Sequence, residues 1–170
     1  KLDTYDAEAA SGNYSAAAVN STAFFVSNSL IYVGQLGADF VSYCFAPIQG
    51  YSKFGSYVGN GNVNGPFVYT GFKPAWFMIK ASSSSSGDSW QMVDAKRDPF
   101  NKDSGAFHKL GANSTSYESA STAIGGDFLS NGLKVRATDS GWNTNGRTYT
   151  YMAFAENPFV TSTGVPATAR

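Results

Sequence analysis

The stretch from Tyr51 to Lys80 constrains the fold more than any other part of this chain. It is YSKFGSYVGNGNVNGPFVYTGFKPAWFMIK, and its apolar residues do not recur at the spacing of a helix. Aromatic and small polar residues alternate up to Tyr57, which is typical of a strand with one face in water. A loop of alternating Gly and Asn follows, and then apolar runs of strand length. The pattern predicts antiparallel β structure with exposed loops.

The rest of the chain continues in the same way, and no segment has the period of a long amphipathic helix. We predict strands at 23–33, 39–48, 51–57, 66–69, 75–80, 90–95, 127–130, 133–136 and 148–155, and one short strand within 98–115. About ten short strands at this spacing predict an all-β fold, a two-sheet antiparallel sandwich. Asn131-Gly132 predicts a tight hairpin, because both central residues of a type I′ turn need φ > 0.

The strongest strand segments also predict the core and the domain limits. Residues 1–22 are rich in Ala, Ser, Asn and Thr and are predicted to be a leader or linker arm, whereas 23–170 form a single sandwich domain. We expect the central core to include Phe45, Phe77, Ile79, Phe128, Leu129, Val135, Tyr151 and Phe154. Cys44 lies in the apolar run VSYCFA and is expected to be buried and inert.

Composition excludes several classes of function. Charged residues make up 14% of the chain and the net charge is +0, without any run of Lys and Arg. A nucleic-acid partner is therefore not expected, because its capture needs clustered positive charge. Membrane insertion is not expected either, because no apolar run approaches the ~20 residues of a membrane-spanning helix.

Several segments, in this order, resemble a C-terminal domain of unknown function that is common in tail-fibre-like virion proteins of tailed phages, especially marine phages and cyanophages. The segments that carry the resemblance are Val41–Lys80, the W-x-x-x-D-x-x-R pattern of Trp90, Asp94 and Arg97, DFLSNGLKVR at Asp127–Arg136, and YTYMAFAENPF at Tyr149–Phe159. The resemblance implies a concanavalin-like or jelly-roll sandwich and a place in the virion. It also implies assembly with other copies of the chain, most simply as a homotrimer. It assigns no binding site.

The residues that enzymes and metal sites use do not form a convincing set. His108 could serve in a Ser/His/Asp triad, but no Ser of the chain lies in a G-x-S-x-G motif. One His and one distant Cys do not form a zinc ligand set. The nearest cluster for calcium, Asp98, Asn101 and Asp103, lacks the spacing of a calcium loop and is interpreted as loop polarity. Asp94 and Arg97 are expected to form a structural ion pair. We therefore predict no catalytic residues, no metal and no cofactor.

Two loops contain the side chains that best suit a glycan. GNGNVNG offers small residues and amides for hydroxyl groups, and GWNTNGR adds an aromatic ring, two Asn and an Arg. Trp142 is expected to be the most exposed of the three Trp, although its ring can instead fold back over the sheet edge or onto a neighbouring subunit. The candidate ligand-binding residues are Trp142, Asn143, Asn145, Arg147, Asn60, Asn62 and Asn64.

Three functions follow from these observations. The first is a non-catalytic appendage domain of the phage virion, a tail fibre or spike, that binds a host-surface glycan or receptor. The second is a structural virion module, for capsid decoration or fibre assembly, without a ligand of its own. The third is a polysaccharide-degrading enzyme, which needs two carboxylates on either side of a groove. Most acids of the chain lie singly in turns, whereas Asp94 and Asp127 lie beside apolar strands.

Overall fold

The computed structural model describes Asp39, residues 43–83, 88–98, 101 and 107–157, and the backbone of 159–160 and 166–167. The chain divides into two compact units, one of Ala9–Phe45 and the other of Ala46–Arg170 with Lys1–Glu8. Every strand described below belongs to the second unit. The predicted leader, 1–22, and the predicted strands at 23–33 lie outside the described residues.

A six-stranded antiparallel sheet forms the larger layer, with the strand order β1-β9-β3-β4-β5-β6. Its members are β1 (Ser52–Val58), β3 (Pro74–Ala81), β4 (Gln91–Asp94), β5 (Phe107–Gly111), β6 (Ser119–Ser121) and β9 (Thr148–Ala155). The central position of β9 follows from its sequence, because alternate residues of TYTYMAFA are buried and can face the core from between two partners. Val58 pairs with Thr148, so β1 ends where β9 begins.

A three-stranded antiparallel sheet forms the second layer, in the order β2-β8-β7. It consists of β2 (Phe67–Tyr69), β7 (Gly126–Leu129) and β8 (Gly132–Val135). A single helical turn, α1 (Ser140–Asn143), precedes β9, and the short strands β10 (Phe159–Val160) and β11 (Pro166–Ala167) pair with each other. The predicted all-β sandwich of two antiparallel sheets is confirmed.

The core lies between the two layers and is rich in aromatic rings. Phe77 stacks on Tyr151 within the larger sheet, with centroids 5.1 Å apart, and Phe107 approaches Phe128 of the smaller sheet at 6.2 Å. Of the predicted core residues, the following are buried: Phe77, Ile79, Phe128, Val135 and Tyr151. Phe154 is half-buried and packs edge-on against Phe54.

Three expectations for buried side chains are wrong. The strand predicted at 39–48 is absent over residues 43–47, and Phe45 and Cys44 are exposed because no sheet holds this segment against the core. Leu129 is exposed because it points outward from β7, on the opposite face from Phe128. Where apolar residues are consecutive, as in Phe128-Leu129, composition alone does not tell which one faces the core.

The predicted hairpin between β7 and β8 forms, but its turn differs from the expectation. Leu129 pairs with Gly132, so Ser130 and Asn131 occupy the turn. Neither has a positive φ, and Gly132 does not either. Gly132 therefore belongs to β8, and a positive φ is not the reason for a glycine at this position.

Candidate functional site

The two loops singled out from the sequence lie side by side at one end of the sandwich. The first follows β1 and the second precedes β9, so the pairing of Val58 with Thr148 brings them together. The backbone N–H of Gly59 donates to the carbonyl of Arg147 at 2.9 Å, and the N–H of Gly146 donates back to Gly59 at 2.9 Å. We call residues 59–65 and 141–147 together the paired loops.

Asn143 joins the paired loops from inside. Its Oδ1 accepts the backbone N–H of Asn60 at 2.8 Å, and its Nδ2 donates to Oδ1 of Asn60 at 3.0 Å and to the carbonyl of Asn62 at 2.7 Å. The same Nδ2 lies 2.9 Å from the carbonyl of Ala137. Asn143 is fully buried, so its predicted role as a ligand contact is wrong. Because both polar atoms of this buried amide are hydrogen-bonded, the side chain of Asn143 holds residues 59–65 in place.

Trp142 is also fully buried, with 0% of its surface exposed, and the expectation of an exposed ring is wrong. Asp139 caps α1 by accepting the N–H of Gly141 at 2.9 Å, and this single turn directs the indole into the core. There its Nε1 donates to Oε1 of the buried Gln91 at 2.6 Å. The alternative drawn from the sequence placed the ring over the sheet edge or on a neighbouring subunit, whereas the observed ring lies inside the core.

Two tyrosine hydroxyls also form hydrogen bonds with the backbone of residues 140–144. Tyr57 and Tyr149 stack with centroids 5.1 Å apart, and the hydroxyl of Tyr57 donates to the carbonyl of Trp142 at 2.7 Å. The hydroxyl of Tyr149 donates to the carbonyl of Ser140 and accepts the N–H of Thr144. Burial, and secondarily the neighbouring Tyr149, raise the pKa of Tyr57 well above its ordinary value. The hydroxyl of Tyr57 therefore serves as a neutral hydrogen-bonding group.

Arg147 is engaged within the protein as well. Its Nη1 lies 2.7 Å from Oδ2 of Asp88 and donates to the carbonyl of Ser140 at 2.9 Å. The hydroxyl of Ser140 donates to the other oxygen of the same carboxylate at 3.1 Å. Arg147 thus ties the paired loops to the β3–β4 connection rather than offering its charge to a ligand.

Four predicted residues of the paired loops are exposed: Asn60, Asn62, Asn64 and Asn145. Of these, Asn60 uses both its side-chain oxygen and its side-chain nitrogen within the loop. The backbone N–H of Asn62 donates to Oδ1 of Asn60, and that of Asn64 donates to Oδ1 of Asn62. Nδ2 of Asn60 closes this ladder by donating to the carbonyl of Asn64 at 3.0 Å. The ladder fixes the backbone while Nδ2 of Asn62 and the amides of Asn64 and Asn145 face solvent.

The acids considered for catalysis are paired with arginines. Asp94 lies 2.9 Å from Nε of Arg97, which confirms the predicted ion pair. Asp127 lies 2.7 Å from Nε of Arg136. One oxygen of each carboxylate is therefore held by a guanidinium group of the same sheet region.

His108 has a partner that sequence reasoning missed. Oδ2 of Asp98 accepts the backbone N–H of His108 at 2.7 Å, and Oδ1 lies 3.0 Å from its Nδ1. The Asp98 side chain is 1% exposed, whereas that of His108 is 38% exposed. Asp98 precedes His108 by ten residues, and the two side chains meet where β5 begins. The pair fixes the ring at the beginning of β5 and anchors the strand.

Two members of the suggested calcium cluster, Asp98 and Asn101, form hydrogen bonds within the protein. Asn101 uses its Oδ1 to accept the N–H of Phe128 at 2.9 Å, and Asp98 faces His108. Asp103 lies outside the described residues. Within the part of the chain that the structure describes, no three His, Cys, Asp or Glu side chains converge as metal ligands do. In that same part, no helix is long and apolar enough to span a membrane.

No curated protein and no solved structure matches the chain. A family model matches residues 1–158, which takes in the described residues from Asp39 to the end of β9. Its description is "Domain of unknown function (DUF7483)". The match covers the paired loops, both sheets of the sandwich and the strand that joins β1 to β3. The chain is therefore a member of the DUF7483 family.

Proposed function

We propose that this domain is a non-catalytic glycan-binding module of a tailed-phage appendage, a tail fibre or spike, which attaches the virion to its host's surface. The observation that carries the proposal is the rigid presentation of three exposed amides, those of Asn62, Asn64 and Asn145, on loops fixed from below by Asn143. Amides donate and accept in one plane and so match the hydroxyl groups of sugars. Pre-organised loops bind with a smaller loss of conformational entropy.

The virion setting derives from the resemblance of Val41–Lys80 and the later segments to tail-fibre-like proteins. An attachment role agrees with a scaffold in which two sheets hold the loops at one end. It also agrees with the pairing of Asp94 and Asp127 with arginines, which argues against the hydrolase alternative.

The experiment is an adsorption assay in which the purified domain binds host cells or their surface polysaccharide. Asn62→Ala, Asn64→Ala and Asn145→Ala combined should weaken adsorption by about tenfold or more, which corresponds to roughly 1.4 kcal/mol. Asn157→Ala is the matched control, because Asn157 is an exposed Asn beyond the opposite end of β9. Adsorption that survives the triple change with an unaltered melting curve would contradict the role of the paired loops.

The proposal includes assembly as a homotrimer in the virion. Light scattering on the full virion protein should report three chains. The structural-module alternative gains if the trimer forms but the paired loops become protected from hydrogen exchange on assembly, because loops buried between copies cannot reach a host.

A further inference from the structure

Two exposed aromatic side chains lie on β2, next to the paired loops. The alternation in Phe67-Val68-Tyr69 buries Val68 and leaves Phe67 44% and Tyr69 59% exposed. β2 is an edge strand of the smaller sheet, and Pro66 connects it directly to residues 59–65 of the paired loops. Two large aromatic side chains exposed on one face, beside a polar loop, form a patch of the kind that marks a binding surface.

Each of the two rings rests on a glycine. A Cβ on Gly132 would lie 2.8 Å from Cζ of Phe67, so the ring occupies the space that a side chain on Gly132 would need. Gly71, at φ +84°, places the position of its absent Cβ 3.6 Å from the hydroxyl of Tyr69. The outer end of each ring therefore lies close to the backbone at a glycine, and much of both side chains is open to solvent. We call Phe67 and Tyr69 together the platform.

Two lysines border the platform. Lys134 pairs with Phe67 across the sheet, and its ammonium donates to the carbonyl of Gly65. The ammonium of Lys53 lies 6.0 Å from the centroid of the Tyr69 ring. Among the described residues neither lysine has a carboxylate within ion-pair distance, whereas the one acid of this face, Asp127, is paired with Arg136. The surface around the two rings is therefore positive within a chain of zero net charge.

We propose that Phe67 and Tyr69 form the stacking platform of a glycan site and that Lys53 and Lys134 select an acidic sugar. The C–H bonds of a pyranose ring pack against the electron-rich faces of the two aromatic rings. A carboxylate or sulfate group on that sugar is then held by the neighbouring ammonium groups. The amides of Asn62 and Asn64 bind hydroxyls of the adjoining residue. This inference rests on the proposed glycan-binding function and names the chemistry of its ligand.

Binding is measured by NMR titration with three oligosaccharide probes of matched length. The probes are oligogalacturonate, which carries carboxylates, sulfated dextran, which carries sulfate esters, and neutral dextran. We expect the ring signals of Phe67 and Tyr69 to shift with at least one acidic probe and not with the neutral one. Comparing the two acidic probes distinguishes a uronic acid from a sulfate ester. This readout needs no variant and so does not depend on whether a variant folds.

Variants test each half of the inference. Phe67→Ala with Tyr69→Ala should weaken binding of the acidic probe by about tenfold or more, while Tyr117→Ala, the change of a Tyr that is 88% exposed, leaves it unchanged. Lys53→Gln with Lys134→Gln should cause a similar loss and reduce the salt dependence of binding. Lys96→Gln is the matched charge control, because Lys96 is exposed away from β2.

The outcomes separate the two proposals. If the glycan binds and shifts only signals of the paired loops, the platform is overturned and the proposed function stands. If the neutral probe binds as well as the acidic ones, the selection by lysine is overturned. If no probe binds and host polysaccharide does not either, both proposals fail. Loss of self-association in Phe67→Ala with Tyr69→Ala, without any glycan effect, would assign the platform to a protein contact instead.

Discussion

The side chain of Asn143 holds Asn60 by two hydrogen bonds, accepting its backbone N–H at 2.8 Å and donating to its side-chain oxygen at 3.0 Å. The two residues are 83 positions apart in the chain. This contact turns a glycine-rich loop, which would otherwise have high conformational entropy, into a fixed surface.

Asn143→Ala should lower the free energy of unfolding by about 1–3 kcal/mol, because it leaves the N–H of Asn60 and the carbonyl of Ala137 without a partner. Urea denaturation measures the loss. Asn145→Ala, the change of an exposed Asn two residues later, should stay within about 0.5 kcal/mol of the unmodified protein. Equal effects of the two changes would show that Asn143 does not fix the loop.

Trp142→Ala should cost about 3–5 kcal/mol, as expected for a large aromatic side chain removed from a core. Trp142→Phe keeps part of the volume but removes one of the two donors to Oε1 of Gln91, which keeps the ammonium of Lys109 at 3.2 Å, so its cost should be smaller. Thermal and urea melts of both variants give the comparison. An unchanged melting temperature in Trp142→Ala would contradict the burial of the indole.

Gly132→Ala should destabilise the domain by about 1–3 kcal/mol, since the new methyl group would approach the carbonyl oxygen of Val68 and the ring of Phe67. Phe67→Ala in the same chain should recover the part of this cost that arises from the ring. A double-mutant cycle of unfolding free energies gives the coupling between the two positions. Coupling indistinguishable from zero would mean that Phe67 does not rest on Gly132.

The raised pKa of Tyr57 predicts a loss of stability at alkaline pH. The folded state keeps the hydroxyl protonated above about pH 10, where the unfolded chain releases that proton, so the free energy of unfolding falls as pH rises from there toward the folded-state pKa. Tyr57→Phe removes this contribution and should flatten the dependence of the urea midpoint on pH between about 9 and 11. Identical slopes for the two proteins would contradict it.

Several strands were predictable because each one carries its signal within its own length. TYTYMAFA alternates and AWFMIK is a nearly continuous apolar run, and both became interior strands of the larger sheet. FVY is apolar at all three positions, so its sequence indicated a strand but not that Val68 is buried while Phe67 and Tyr69 are exposed.

The direction of the Trp142 ring was not predictable in this way. It depends on an amide at position 91, on another strand, and on one helical turn capped by Asp139. Asn143 has the same limitation, because its partners at 60 and 62 reach it only after β1 and β9 have paired. An asparagine that binds a loop and one that binds a sugar have the same sequence signature.

The position of β9 between β1 and β3 has a consequence for how the domain is made. During synthesis β1 and β3 emerge from the ribosome long before the strand that separates them, and each has an unpaired edge until residues 148–155 follow. The last long strand therefore completes the larger sheet as a single late step, and non-local pairings of this kind slow folding. A chain cut anywhere before Thr148 leaves two exposed strand edges that are open to pairing with other molecules.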